Sequence, residues 1–266
     1  VTTQSVCALG DDLPRADRPA LRKWLLARRF RRVHPYTQAS PGGWAWTDLD
    51  GGVPDADDTA GALVALRRLG AVDSDAVRAA AAGAVWLCDI QNRDGGIPTF
   101  CRGWGRMPFD RSTADLAAHA IRAWDAWSEA LPGSTARRVA CARRRAVEHL
   151  MRTQRADGSW APLWFGCQHA DDEANPTYGT AKVLRALADS GDPVVRASIA
   201  RARKWLLKAQ NPDGGWGGAP RCPSAVEETA LAVEALACEP ASGEAGEAIA
   251  SGVRWLVEAT DRGRRF

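Results

Sequence analysis

The sequence predicts an all-α protein, an α/α barrel or toroid built from helical hairpins. Three observations favour it. A short pattern recurs four times in 266 residues, apolar and amphipathic helical segments alternate around it, and several of the twelve Trp stand at the same place in the pattern. Trp is too large to be common filler, so its recurrence indicates a repeated packing role. Repeats of this kind bury a core by stacking on their neighbours.

The repeat is Gln-x-x-x-Gly-x-Trp, which is intact at Gln38, Gln154 and Gln210. A fourth copy at Gln91 keeps the glycine but has Ile97 in place of Trp. Successive glutamines are 53, 63 and 56 residues apart. That length fits one helical hairpin per repeat, with the pattern forming the turn between two helices.

The helices on the two sides of each turn differ in character. The segment 192–208, before the last copy, begins with the capping pair Asp192 and Pro193 and keeps one charged face. The segments after the turns, such as 59–66 and 229–233, are apolar on most sides. This alternation predicts one outer and one inner helix per repeat. An open solenoid is the alternative, because a sequence does not show closure of a ring.

The two ends predict a chain cut from a longer one. Residues 1–9 read as an inner helix without a preceding outer helix, and residues 246–257 as an outer helix without a following inner helix. We therefore predict a single α/α-barrel domain, 1–266, that is incomplete at both ends.

Composition argues against several classes of protein. A net charge of +3 with scattered Arg does not indicate a nucleic-acid partner. The seven Cys are odd in number and lack a CxxC pair, so neither a disulfide framework nor a cysteine zinc site is predicted. The loop holding His169, Asp171, Asp172 and Glu173 matches no standard metal spacing and is predicted to be an exposed acidic loop. We predict no cofactor and no metal.

An acidic motif with Asp55, Asp57 and Asp58 opens an inner helix. Helix capping explains one or two of these carboxylates. A third costs stability, because crowded carboxylates repel one another and one of them can then keep its proton at neutral pH. Capping and acid catalysis both remain open from these residues alone.

The chain resembles the squalene–hopene cyclase family of class II triterpene cyclases, in the C-terminal catalytic portion. That family has Asp-x-Asp-Asp-Thr-Ala, here 55–60, after a Gly-Gly-aromatic-Ala-aromatic segment, here 42–46, together with Gln/Trp repeats. The likeness runs over nearly the whole chain. It implies cyclisation of squalene or a related polyprene to a hopanoid-type triterpene, started by protonation without metal or cofactor.

The resemblance also implies roles for individual residues. Asp57 is the general acid, His119 is its partner, and Asp115, four residues before His119 on one helix face, supports that histidine. Without the resemblance, the simpler interpretation of His119 is a core histidine with its hydrogen bonds satisfied. The predicted acid network comprises Asp55, Asp57, Asp58, Asp115, His119 and Tyr178.

Three aromatic residues match positions that line the substrate cavity of the family: Trp46, Phe100 (in place of a Tyr) and Trp164. Aromatic faces suit this task because they shape an apolar cavity and attract carbocations. Plain core packing is the alternative for each of the three.

The family's second helical domain is not found in this sequence, so the alternative is a non-catalytic or incomplete α/α-barrel domain that acts as a scaffold or binding module. Prenyltransferase β subunits and thioester proteins rank last, because neither a zinc set nor a Gly-Cys-Gly-Glu-Gln segment is found. The resemblance further implies a lipid substrate and a monotopic position on the cytoplasmic side of the cell membrane. A homodimer is a candidate assembly.

Overall fold

The computed structural model describes residues 2–70, 72–98, 110–240 and 242–264. Ten α-helices and four two-residue strands fall within these residues, which confirms the predicted all-α class. The helices are α1 (Thr2–Leu9), α2 (Arg18–Arg28), α3 (Ala56–Arg68), α4 (Ser74–Ile90), α5 (Ala114–Trp127), α6 (Gly133–Thr153), α7 (Pro176–Leu187), α8 (Pro193–Lys208), α9 (Val226–Leu236) and α10 (Glu244–Ala259). The strands are β1 (Trp44–Ala45), β2 (Pro54–Asp55), β3 (Ile97–Pro98) and β4 (Ser112–Thr113).

The chain divides into two compact units. The first comprises Val1–Ser112 and His119–His149, and the second comprises Thr113–Ala118 and Leu150–Phe266. Helices α5 and α6 contribute residues to both units. The expectation of one domain over 1–266, incomplete at its ends, stays a prediction.

Inner and outer helices alternate within each unit, as the sequence predicts. In the first unit α3 is buried on most sides and packs against α1 and α4, whereas Leu25 is the one buried residue of α2. In the second unit α7 is buried in the same way and packs against α8 and α9, with α10 packed on α9. The charges of α8 lie on the face away from its buried stripe, which contains Val195, Ile199 and Leu206.

Three turns share one glutamine geometry. Each glutamine follows the end of an outer helix within two residues. Its Nε2 donates to the glycine carbonyl of its own turn and to a carbonyl of the next outer helix, at 2.8–2.9 Å. The glutamines with their two acceptors are Gln91 (Gly95 and Ala142), Gln154 (Gly158 and Ser198) and Gln210 (Gly214 and Ala248). One side-chain amide thus joins consecutive repeats.

The tryptophans of the pattern join each turn to the helices on both sides of it. Each indole Nε1 donates to a leucine carbonyl of the preceding outer helix at 2.8 Å. Each Trp backbone N–H donates to a threonine hydroxyl of the following inner helix at 2.9–3.0 Å. The sets are Trp44 with Leu25 and Thr59, Trp160 with Leu150 and Thr180, and Trp216 with Leu206 and Thr229.

The first turn is built differently from the prediction, because Gln38 does not occupy the glutamine position. Its Nε2 donates to Pro35 O, and its side chain is exposed. Two backbone hydrogen bonds of 2.9 Å close this turn: Phe30 N donates to Gly43 O, and Gly42 N donates to Phe30 O. In the second turn, Asn92 makes the same pair of bonds with Gly96 and Gly95. Arg29, which precedes Phe30, therefore stands where the other turns have glutamine. The Gln-x-x-x-Gly-x-Trp match at Gln38 therefore lies within the longer connection between α2 and β1.

None of the helices in the part of the chain that the structure describes is both long and apolar enough to cross a bilayer.

Replacing Gln210 with Ala should lower the free energy of unfolding by about 1–3 kcal/mol, because two part-buried hydrogen bonds are lost, one within its own turn and one to the next outer helix. Gln38→Ala is the matched control and should change it by less than about 0.5 kcal/mol, since Gln38 is exposed. Urea unfolding followed by circular dichroism measures both. If both variants lost the same free energy of unfolding, the conclusion that Gln210 holds the repeat position and Gln38 does not would be wrong.

Candidate active site

Asp55 is fixed by a strand pair and a helix end. Strand β1 pairs with β2 in antiparallel register, so that Trp44 lies opposite Asp55. Asp55 then caps α3, and its Oδ1 accepts a hydrogen bond from Asp58 N at 2.8 Å. The residue is only 6% exposed. One of the three carboxyls of the motif therefore has the capping role that its position predicts.

Thr59 fixes the first turn of α3 against β1. Its hydroxyl accepts from Trp44 N at 3.0 Å and donates to Trp44 O at 3.4 Å. The close approach requires Gly43, because a Cβ there would lie 3.0 Å from Thr59 Oγ1 and 2.9 Å from the Trp86 ring. These contacts set the position of Asp57, which lies between the cap and the threonine.

The carboxyl cluster favours retention of a proton. Burial raises the pKa of Asp55 well above its ordinary value of 3.8, and the neighbouring negative charge of Asp58 raises it further. The two side chains are hydrogen-bonded to each other. Burial also raises the pKa of Asp58, although the bond from Asp55 acts in the opposite direction. A protonated Asp55 that donates to Asp58 accounts for both effects.

Asp57 on α3 and His119 on α5 contact each other, and both helices are inner helices. Asp57 Oδ1 lies 2.8 Å from His119 Nδ1, although the residues are 62 positions apart in the chain. The Asp57 side chain is 42% exposed and that of His119 19%. Gly61, one turn after Asp57, lies beside the imidazole, where a Cβ would be in ordinary contact with His119 Cε1 at 3.6 Å. The pair joins an accessible carboxyl to a largely shielded imidazole.

Asp115 lies one turn before His119 on α5 and is 4% exposed. The hydroxyl of Thr113 donates a short hydrogen bond to Asp115 Oδ1. This bond holds the Asp115 carboxyl at the start of the helix, where the free N–H groups favour a negative charge. Its support of His119 stays a prediction.

A cavity of about 200 Å³ lies beside the motif in the first unit. Asp58 lines it together with three tryptophans, Trp24, Trp44 and Trp46. Trp46 is 73% exposed, so the plain core role that was the alternative for this residue does not apply. The cavity thus combines an acidic wall with aromatic faces.

The remaining predicted site residues fall outside the first unit or outside the described residues. Tyr178 belongs to the second unit, where its ring stacks on Phe165 at 4.6 Å and Lys182 Nζ lies 4.9 Å from it. Trp164 belongs to the same unit and is 44% exposed. Phe100 lies outside the described residues. Participation of these three residues in the site stays a prediction.

Two residues of the site were not predicted from the sequence. Thr59 has a signal that could have revealed it, because Thr180 and Thr229 occupy the same place after the other two tryptophans. Trp24 also has such a signal, since it is a large apolar residue beside buried Leu25 on a helix with four basic residues. Both signals concern helix faces that the repeat pattern does not include.

Within the described ranges, no group of three or more His, Cys, Asp or Glu side chains is arranged to hold a metal ion. The acidic loop around Asp172 is mostly exposed, and Asp172 lies 3.8 Å from Arg155.

Comparison with known proteins places these features in a family. The model of the squalene–hopene cyclase C-terminal domain matches residues 2–264. A terpene cyclase–glycosyl transferase fusion protein of Humicola fuscoatra is 34% identical over 85% of this chain and 18% of its own length. A probable squalene–hopene cyclase of Sinorhizobium fredii is 32% identical over 82% of this chain and 35% of its own length. The chain therefore spans about a third or less of these two relatives.

Solved structures show the same fold. The type II terpene cyclase MstE from Scytonema, in a variant bound to geranylgeranyl dihydroxybenzoate, aligns with a TM-score of 0.69 at 22% identity. The alignment covers 97% of this chain and 68% of the other. This likeness supports the predicted barrel-type all-α fold.

The raised pKa of Asp55 predicts a pH-dependent stability. Between its ordinary pKa and the raised one, the folded protein holds a proton that the unfolded chain has released, so stability falls as pH rises, by at most about 1.4 kcal/mol per pH unit. Asp55→Asn keeps a capping oxygen but removes this titration. Relative to the unchanged protein, the variant should therefore gain stability as pH rises above about 4 in urea unfolding.

Asp73→Asn is the matched control with the opposite sign. Asp73 also caps a helix, α4, but its hydrogen bond from Ala76 N lowers its pKa. That cap is strongest when ionised, so its variant should lose stability relative to the unchanged protein as pH rises through the Asp73 pKa. Parallel pH profiles for the two variants would contradict the assignment of a protonated Asp55.

Proposed function

Since the chain belongs to the squalene–hopene cyclase C-terminal domain family, we propose that it supplies the acid of a class II terpene cyclase. The proposed reaction is cyclisation of a linear polyprene, started by protonation of a terminal alkene. Asp57 is the general acid and His119 its hydrogen-bond partner.

The proposed step transfers one proton from the Asp57 carboxyl to an alkene carbon. The alkene π electrons form the new C–H bond, a tertiary carbocation remains on the substrate, and Asp57 is left as a carboxylate. An alkene is a very weak base, so the acid has to be strengthened by stabilising its conjugate base. A His119 Nδ1–H that donates to Asp57 does this, because the bond is stronger to the carboxylate than to the acid.

The single observation that supports this assignment is the 2.8 Å contact between Asp57 and His119 beside the carboxyl cluster. The Asp57 side chain is 42% exposed and not committed to the helix cap, whereas Asp55 is buried and caps the helix. The neighbouring cavity, which Asp58 and Trp46 line, offers aromatic faces that suit a carbocation.

For the substrate we propose squalene or a related polyprene, with a hopanoid-type polycyclic product. Relatives from Bradyrhizobium diazoefficiens and Zymomonas mobilis are named squalene–hopene cyclases, and one from Streptomyces cyslabdanicus is named a copalyl diphosphate synthase. Squalene therefore has to be tested beside shorter isoprenoids. Uptake of the lipid at a membrane surface is part of the same proposal.

Asp57→Asn should lower turnover by about a thousandfold or more, since the proton donor is removed while the side-chain shape is kept. The protein would be incubated with squalene, and separately with geranylgeraniol, in detergent, and products separated by gas chromatography–mass spectrometry. Circular dichroism would check that the variant folds.

Asp75→Asn is the matched control, because Asp75 lies two residues after the cap of α4, as Asp57 lies two residues after the cap of α3. It should keep full turnover. An active Asp57→Asn variant would overturn the assignment of the acid. A folded but inactive unchanged protein would favour the scaffold or binding-module alternative.

Trp46→Ala should lower kcat/KM by about twofold to thirtyfold, the range expected when one cation–π contact is lost. Stability should change little, because the side chain is already 73% exposed. Tyr36→Ala is the control, since Tyr36 is an 84% exposed aromatic in the same unit that does not line the cavity. Equal kinetic losses in both variants would argue against a cavity role for Trp46.

A further inference from the structure

We infer that Trp127 is a positioning residue for the acid pair. Its indole N–H sets the register between α3, which carries Asp57, and α5, which carries His119. The inference rests on the proposed function for its catalytic consequence, while its structural content can be measured without turnover.

The central observation is a buried hydrogen bond between the two helices. Trp127 Nε1 donates to Leu63 O at 2.8 Å. Trp127 is 1% exposed and Leu63 is fully buried. Burial of an indole N–H without an acceptor is costly, so the helix packing has to bring an acceptor to it.

The bond and the acid pair lie on the same two helices. His119 faces Asp57, and Trp127, further along α5, faces Leu63, further along α3. The two helices therefore run in the same direction. Leu63 lies about 9 Å beyond Asp57 along α3, and Trp127 about 12 Å beyond His119 along α5. Two contacts separated in this way restrict both sliding and rotation of one helix against the other.

Leu63 lies inside a helix, where its carbonyl oxygen has its own partner four residues on. The Leu63 carbonyl thus does not depend on Trp127, but the indole N–H depends on Leu63. A slide of α5 by one residue, about 1.5 Å, would leave this N–H facing side chains in place of the carbonyl. Trp124 adds a second bond, from its Nε1 to Ala84 O of α4 at 3.2 Å, so α5 is held to an inner and an outer neighbour.

The acid pair is sensitive to such a slide. Asp57 and His119 are 2.8 Å apart, and a hydrogen bond weakens steeply once this distance exceeds its normal range. A misplacement of about 1 Å at a catalytic group can cost roughly a hundredfold in rate. The Trp127 bond therefore acts on kcat through the distance between two other side chains.

The test is Trp127→Phe in the intact protein, with Trp216→Phe as the matched control. Trp216 is fully buried and donates the same bond, Nε1 to Leu206 O at 2.8 Å, but it belongs to the second unit. Both variants lose one buried N–H donor and keep an aromatic ring. We expect similar falls in Tm, about a tenfold or larger fall in kcat for Trp127→Phe alone, and little change in KM.

A second readout does not require turnover. The protein has four histidines, so ¹⁵N chemical shifts of the imidazoles can be assigned with a His119→Asn variant. We expect the His119 resonances to move in Trp127→Phe and to stay in Trp216→Phe, with those of exposed His169 unchanged in both.

The two readouts separate the proposals. Equal kcat losses in both variants, or unmoved His119 resonances in Trp127→Phe, would overturn the positioning role. An inactive unchanged protein would count against the proposed function, and the imidazole shifts would still decide the role of Trp127. If Trp127→Phe does not fold, benzothienylalanine at position 127 removes the N–H with the ring shape kept, and the same outcomes apply.

Discussion

The hydrogen bonds between Thr59 and the backbone of Trp44 are the constraint on which the acidic motif depends. One hydroxyl bonds both the N–H and the C=O of the tryptophan, and so joins the end of a turn to the first turn of the inner helix that follows. Thr180 and Thr229 bond Trp160 and Trp216 in the same way. Each inner helix thus begins at a fixed position relative to its turn, and side chains in the first turn, Asp57 among them, are fixed with it.

Burial and pairing divide the three carboxyls among different tasks. Asp55 is buried, which raises its pKa, and its side chain caps the helix. Asp58 receives a hydrogen bond from Asp55 and lines the cavity. Asp57 keeps solvent access and contacts His119. A cluster that would be unstable with three equivalent charges is tolerated because its members lie in different surroundings.

Much of the fold could be predicted because helix periodicity and the turn pattern are local properties of the chain. The alternation of buried α3 and α7 with half-exposed outer helices follows from apolar periodicity alone. The misassigned Gln38 shows the limit, since spacing matched but the residue does not directly follow an outer helix as Gln91 does. The contact between Asp57 and His119 spans 62 residues and was predicted only from a family resemblance, and the bond made by Trp127 has no local signal.

The expanded first turn has a consequence for divergence within the family. Gly42 N bonds Phe30 O twelve residues earlier, whereas Gly95 N bonds Asn92 O three residues earlier, so nine extra residues are enclosed by one unchanged pair of backbone bonds. Loop closure costs grow slowly with length, so such insertions are cheap. The enclosed loop lies against α4, where Ser40 O accepts a hydrogen bond from Trp86 Nε1. The length of this turn can therefore change by insertion and deletion, with no compensating change in the helices that it joins.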